Sequence, residues 1–116
     1  MDLLNELRNL GVDTDDAMRR FMDNEGLYRR MLKKLVDNIR SNEVIPFMDT
    51  EDYEKAVANA HTLKGVTGNL SVTPLYTAYT EVVKLLRAGE YDKARKGMEE
   101  LLPIQDKIIS CIESCE

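Results

Sequence analysis

Ala60-His61-Thr62-Leu63-Lys64-Gly65-Val66-Thr67-Gly68-Asn69-Leu70 holds the only histidine of the chain and two of its six glycines, and its periodicity sets the class of fold. In the residues leading in, 49–60, Tyr53, Ala56, Val57 and Ala60 recur at the 3, 4 spacing of one helix face. The stretch is therefore helical. Carried forward at about 100° per residue, the helix puts Leu63, Thr67 and Leu70 near its apolar stripe. It gathers His61, Lys64, Gly65 and Gly68 on a neighbouring flank, at i, i+3, i+4 and i+7. A glycine inside a helix costs ~1 kcal/mol relative to alanine, so two on the histidine's own flank need a reason other than helix stability. A bare patch that lets a partner approach is such a reason.

On the amino-terminal side, Leu3, Leu4, Leu7 and Leu10 make a short amphipathic helix closed by Gly11, and Asp13 or Thr14 caps a second, with Met18, Phe21 and Met22 on its apolar side. Asp23 or Asn24 caps a longer helix that runs to about Ile39. Tyr28, Met31, Leu32, Leu35, Val36 and Ile39 lie on one side of it, and Arg29, Arg30, Lys33 and Lys34 on a solvated other side. Residues 41–48 contain Pro46 and no helical period, so they read as a connection, after which Asp49 or Thr50 caps the histidine helix. On the far side, Thr73 is the expected cap and Pro74 the first residue of a helix that buries Leu75, Tyr79, Val82 and Leu86 and ends at Ala88-Gly89. A last helix from Glu90 carries Tyr91, Ala94, Met98, Leu101, Ile108 and Ile112, with Pro103 expected to kink or break it.

Four longer helices with short connections, each apolar on one side, predict an all-α, antiparallel four-helix bundle, with the two short amino-terminal helices capping one end. At 116 residues the chain, 1–116, fits a single domain. The 43% hydrophobic and 32% charged composition suits a folded, soluble helical protein rather than a disordered one. A net charge of −5 argues against nonspecific attraction to nucleic acid or an anionic membrane. No apolar run approaches the ~18 residues of a membrane span, and Met1–Leu10 lacks the core of a secretory signal. A cytoplasmic protein is expected. Cys111 and Cys115 have no histidine near them to complete a metal site and read as small side chains; no metal site is expected.

An imidazole, with an ordinary pKa near ~6.5, keeps a useful neutral and nucleophilic fraction at neutral pH. His61 can therefore accept a group, Lys64 can meet an incoming anion one turn later, and Gly65 and Gly68 leave room for a bulky partner. That combination suits a phosphoryl acceptor. A hydrolase would need a further nucleophile, a carboxylate partner or a metal cluster, none of which is legible. GVTGN also lacks the spacing and terminal Gly-Lys-Ser/Thr of a nucleotide loop. Taken alone, His61 reads as an ordinary surface histidine; its neighbours change the reading.

The Ala60–Leu70 stretch resembles the signature of histidine-containing phosphotransfer (HPt) domains. The resemblance extends to Gly11-Val12-Asp13, Leu27-Tyr28-Arg29-Arg30-Met31-Leu32, Thr73-Pro74-Leu75-Tyr76 and Gly89-Glu90-Tyr91-Asp92, and so covers most of the chain. It departs at Ser71, where many relatives have glycine. The resemblance implies a phosphoryl carrier of a multistep two-component phosphorelay, not a complete enzyme. His61 would be phosphorylated on the ring nitrogen farther from the backbone and Lys64 would assist the phosphoryl group. The docking surface would include Gly65, Gly68, Glu54, Val57 and Ala58. The implied partners are response-regulator receiver domains or a hybrid sensor histidine kinase, with the catalytic aspartate and Mg²⁺ supplied by the receiver and no cofactor bound by this chain. A monomer is expected. The alternative is an HPt-like module that docks on a kinase or receiver without carrying phosphate.

Overall fold

Short polar side chains start four of the helices by accepting a backbone N–H that has no partner within the first turn. Asp2 accepts from the Leu4 amide at α1 (Leu3–Asn9), Asp13 from Asp16 at α2 (Thr14–Arg20), Asn24 from Leu27 at α3 (Glu25–Ser41) and Asp52 from Lys55 at α5 (Tyr53–Asn69). A single turn, α4 (Ile45–Asp49), precedes α5; α6 (Thr73–Arg87) and α7 (Tyr91–Ser114) follow. The computed structural model describes residues 2–114, and among them every regular element is a helix.

The helices bury the stripes that their periodicity marks. Tyr28, Leu32, Leu35, Val36 and Ile39 of α3 meet Leu75, Tyr79, Val82, Val83 and Leu86 of α6 and Ala94, Met98, Leu101, Ile108 and Ile112 of α7 in one core. The inner face of α5 adds only small or polar side chains beside Leu63: Ala56, Asn59, Ala60 and Thr67. Helix α5 packs against α6, α6 against α7, and α3 against both α5 and α7, while α1 lies on α7 and α2 on α3. The molecule measures 41 × 23 × 21 Å. Its long axis is set by α7, whose 24 residues span ~36 Å at 1.5 Å each.

Buried polar groups tie these elements together. The Tyr28 hydroxyl donates to the Leu70 carbonyl at 2.7 Å, joining α3 to the end of α5. The Tyr79 hydroxyl donates to Gln105 Oε1 between α6 and α7. Burial pushes both phenols well above the ordinary tyrosine range. Asn59 Nδ2 donates to the Glu43 carbonyl at 2.7 Å and so anchors α5 to the chain before α4.

Five local expectations need correction. Met22, expected on the apolar side of the second helix, lies in the turn after α2 and is exposed. Residues 41–48 are not wholly a connection, because Ile45 and Pro46 open the turn α4, where a proline near the start loses no helical bond. Neither Asp49 nor Thr50 caps α5. The Asp49 carboxylate takes Arg95 of α7 at 2.5 Å, Thr50 bonds back to carbonyls of α4, and Glu51 turns the chain at φ +59°, leaving Asp52 as the cap. Thr73 is the first residue of α6, not its cap, and its hydroxyl donates back to the Ser71 carbonyl. Pro103 does not break α7, which runs through it. Pro103 and Glu99 are both exposed, so the Glu99 carbonyl that the proline cannot serve can turn to water. Gln105, which the apolar stripe did not include, is buried as the partner of Tyr79. Cys111 is buried, and Cys115 lies outside the described residues.

Candidate functional site

Helix α5 is rotated so that Ala56, Asn59, Ala60, Leu63 and Thr67 face inward. The opposite face therefore presents Glu54, Ala58, His61, Thr62 and Gly65, all exposed, flanked by half-buried Val57, Lys64 and Gly68. Glu54, Ala58, His61 and Gly65 follow one another at i, i+4, i+7 and i+11, and Val57, His61, Lys64 and Gly68 at i, i+4, i+7 and i+11, so both rows meet at the histidine. The helix can hold this face outward because its inward polar groups are satisfied. The Thr67 hydroxyl donates to the Leu63 and Lys64 carbonyls at 2.7 and 3.1 Å, and the Asn59 amide is held by Glu43.

Among the described residues, neither the His61 ring nor the Lys64 ammonium has a side-chain hydrogen bond or ion pair. Thr62, the other polar side chain beside the histidine, returns its hydroxyl to the Ala58 carbonyl at 3.1 Å. The surface around His61 is thus low, with Glu54 and Lys64 among its ionised groups. Two nitrogen donors or nucleophiles are left uncommitted one helical turn apart. Such a pair can bind an anion by charge and accept an electrophile at the imidazole. No group of three or more His, Cys, Asp or Glu among the described residues is placed to hold a metal ion.

The two glycines do different things. A Cβ built on Gly65 meets nothing within 4 Å, so the surface beside His61 is open there. A Cβ on Gly68 would lie 2.8 Å from Cδ1 and 3.0 Å from Cε1 of Tyr76. Gly68 is therefore not bare in the way its spacing suggested: its missing side chain seats the ring of a residue on α6. Tyr76 escaped the sequence reading because the contact is between helices. A signal existed, since Gly68 and Tyr76 lie four residues to either side of Val72, in the tight connection that folds α6 back on α5.

The end of α5 is held by Ser71, which takes a left-handed conformation at φ +57°, where glycine is the usual occupant. Its backbone carbonyl accepts from the Asp13 amide at 3.1 Å, and its hydroxyl donates to Asp16 Oδ2 at 2.6 Å. The Ser71 hydroxyl and the Arg20 guanidinium together hold the Asp16 carboxyl below its ordinary range. Ser71 thus has a partner of its own on α2.

Among the described residues no helix is long and apolar enough to cross a membrane. Compared with family models, with curated proteins and with solved structures, the chain matches none.

Proposed function

We propose that this chain is a histidine phosphotransfer protein of a two-component phosphorelay, an antiparallel four-helix bundle of the HPt type that acts as a cytoplasmic monomer. The observation that carries the reading is the state of His61: exposed, without a partner among the described residues, and centred on a helix face otherwise cleared of large side chains. A structural histidine is normally held by a hydrogen bond or packed into the core. This one is presented.

The reaction follows from the groups present. The Nε2 lone pair of neutral His61 attacks the phosphorus of a receiver's aspartyl phosphate and forms the N–P bond. The P–O bond to the carboxylate breaks, its electron pair leaves with the aspartate, and Nδ1 keeps its proton. Charge spread over the three phosphoryl oxygens is met by Lys64 on this side and by the Mg²⁺ expected in the receiver on the other. Return to a second receiver is the same step reversed. The chain thus supplies an acceptor and a shape, while the partner, a response-regulator receiver or the receiver of a hybrid sensor kinase, supplies the catalytic groups.

Incubation with a panel of phosphorylated receiver domains and Mg²⁺, followed by intact mass, tests this. An acid-labile phosphoryl gain that disappears in His61→Gln is expected. Binding to receivers with no mass gain would replace the carrier with a docking module that takes no phosphate.

A further inference from the structure

Large apolar side chains are exposed at Met22, in the turn before α3, at Ile104 on α7, and at Tyr76 on α6. A lone exposed tyrosine is ordinary. Tyr76 differs because the residue is 40% exposed yet its ring is pressed onto the helix that carries His61, at a position where even a methyl group would collide with it. Glycine at position 68 weakens α5, and what the molecule gains is a fixed seat for that ring. A side chain already held in one orientation loses little freedom when a partner covers it, and tyrosine offers a large amphipathic surface with few rotatable bonds. The ring lies at Gly68, about two helical turns beyond His61 on the row that also carries Lys64, at one end of the face that a partner must approach for any transfer to His61.

We propose that Tyr76 is a docking residue, the fixed aromatic edge of the surface that a receiver domain covers when it meets His61. The proposal rests on the phosphoryl-carrier reading. Tyr76 does not touch the reacting atoms; it sets how tightly the receiver is held.

The test uses the full chain, purified receiver domains with Mg²⁺, and potassium phosphoramidate, a small donor that phosphorylates histidine without docking. Tyr76→Ala is expected to weaken receiver binding about tenfold, as for an aromatic anchor. Transfer at saturating receiver and labelling by phosphoramidate should stay at the parent's level, and Tyr76→Phe should restore binding. Gly68→Ala should weaken binding by displacing the ring, and should add nothing in a Tyr76→Ala background, because both changes remove the same edge. Parent-like binding by Tyr76→Ala, or additive losses in the double variant, would overturn the docking role while leaving the carrier intact. A parent chain that takes no phosphate from either donor and binds no receiver would overturn both.

Discussion

Helices α3 and α5 are equally long, 17 residues, and begin on the same device, an Asn or Asp side chain accepting the N–H three residues on. They are opposite in every other respect. Helix α3 buries large side chains, Tyr28, Leu32, Leu35, Val36 and Ile39, and turns Arg30, Lys33, Lys34, Asp37 and Arg40 to water. Helix α5 buries mostly small ones and shows Ala58, Thr62, Gly65 and a single histidine outside. The first is built to be held by its inner face and solvated by its outer one. The second gives up both kinds of stabilisation, since its inner face has little apolar area of its own and its glycines disfavour the helix. It persists through packing on α6 and α3 and through anchors such as Asn59 and Thr67. The outer face of α5 carries fewer charges than that of α3 and only small neighbours at Ala58 and Gly65 beside its histidine, which leaves room for contact that α3 does not offer.

The comparison breaks if the outer faces prove interchangeable. His61→Gln should abolish phosphoryl acceptance outright with an unchanged melting temperature, because the exposed ring makes no hydrogen bond or ion pair among the described residues. Combined Lys33→Gln and Lys34→Gln on α3 should leave both transfer and binding at parent levels. Loss of transfer in the α3 variant would mean that the charged face also meets the receiver. The next largest effect is expected at Gly65→Gln, which fills the open space beside His61. Receiver binding should fall about tenfold or more from an intruding side chain at the contact, while the helix gains up to ~1 kcal/mol from replacing glycine. Stability and binding measured on the same sample should therefore move in opposite directions; if both rise, the face around His61 is not a contact surface.

How much of this contrast was legible in the sequence depends on the range over which each feature is decided. The inner stripes of α3 and α6 follow from local periodicity, and so do the outward placements of His61 and Gly65. Residues 49–52 offer Asp49, Thr50 and Asp52 as caps, and the choice is made by Arg95, more than forty residues away, which takes Asp49. Pro103 is tolerated because its side of α7 is wet, a fact of packing that local pattern does not contain. Gly68 and Gly65 look equivalent along the chain, and only the return of α6 sets them apart by laying Tyr76 on one and not on the other. The role of Ser71 was likewise hidden, because its partner Asp16 belongs to a helix that the sequence places far from it.

Lys64 sharpens the comparison from the side of charge. It is the basic group beside His61, half-buried on α5, whereas the basic residues of α3 are many and well solvated. Lys64→Ala should slow transfer a few-fold and barely alter receiver binding, since an ion contact open to solvent is worth up to ~1 kcal/mol. Lys64→Arg should recover part of the rate. A loss as complete as that of His61→Gln would make Lys64 indispensable to the phosphoryl step, not merely an aid to it.

The smallest expected effects concern how the two helices end. Helix α3 passes into Asn42 with an ordinary negative φ, whereas α5 ends through Ser71 in the left-handed region. Ser71→Gly and Ser71→Ala both remove the hydroxyl, but only glycine relieves the backbone, so the glycine variant should be more stable than the alanine variant by about 1 kcal/mol. That gap is a property of the backbone and should not depend on pH. The gap between the parent and Ser71→Ala has a different origin, the hydroxyl donated to Asp16. Folding lowers the Asp16 pKa from its ordinary 3.8, so the carboxylate's contribution is complete above that value and is lost as pH falls through the lower folded one. Melts of the three proteins between neutral pH and pH about 2 should show the parent approaching the alanine variant in acid while the glycine–alanine gap holds. A parent–alanine gap that stays constant into acid would mean that the serine steadies the end of α5 without the Asp16 charge. In that case the two helix ends would differ only in backbone geometry.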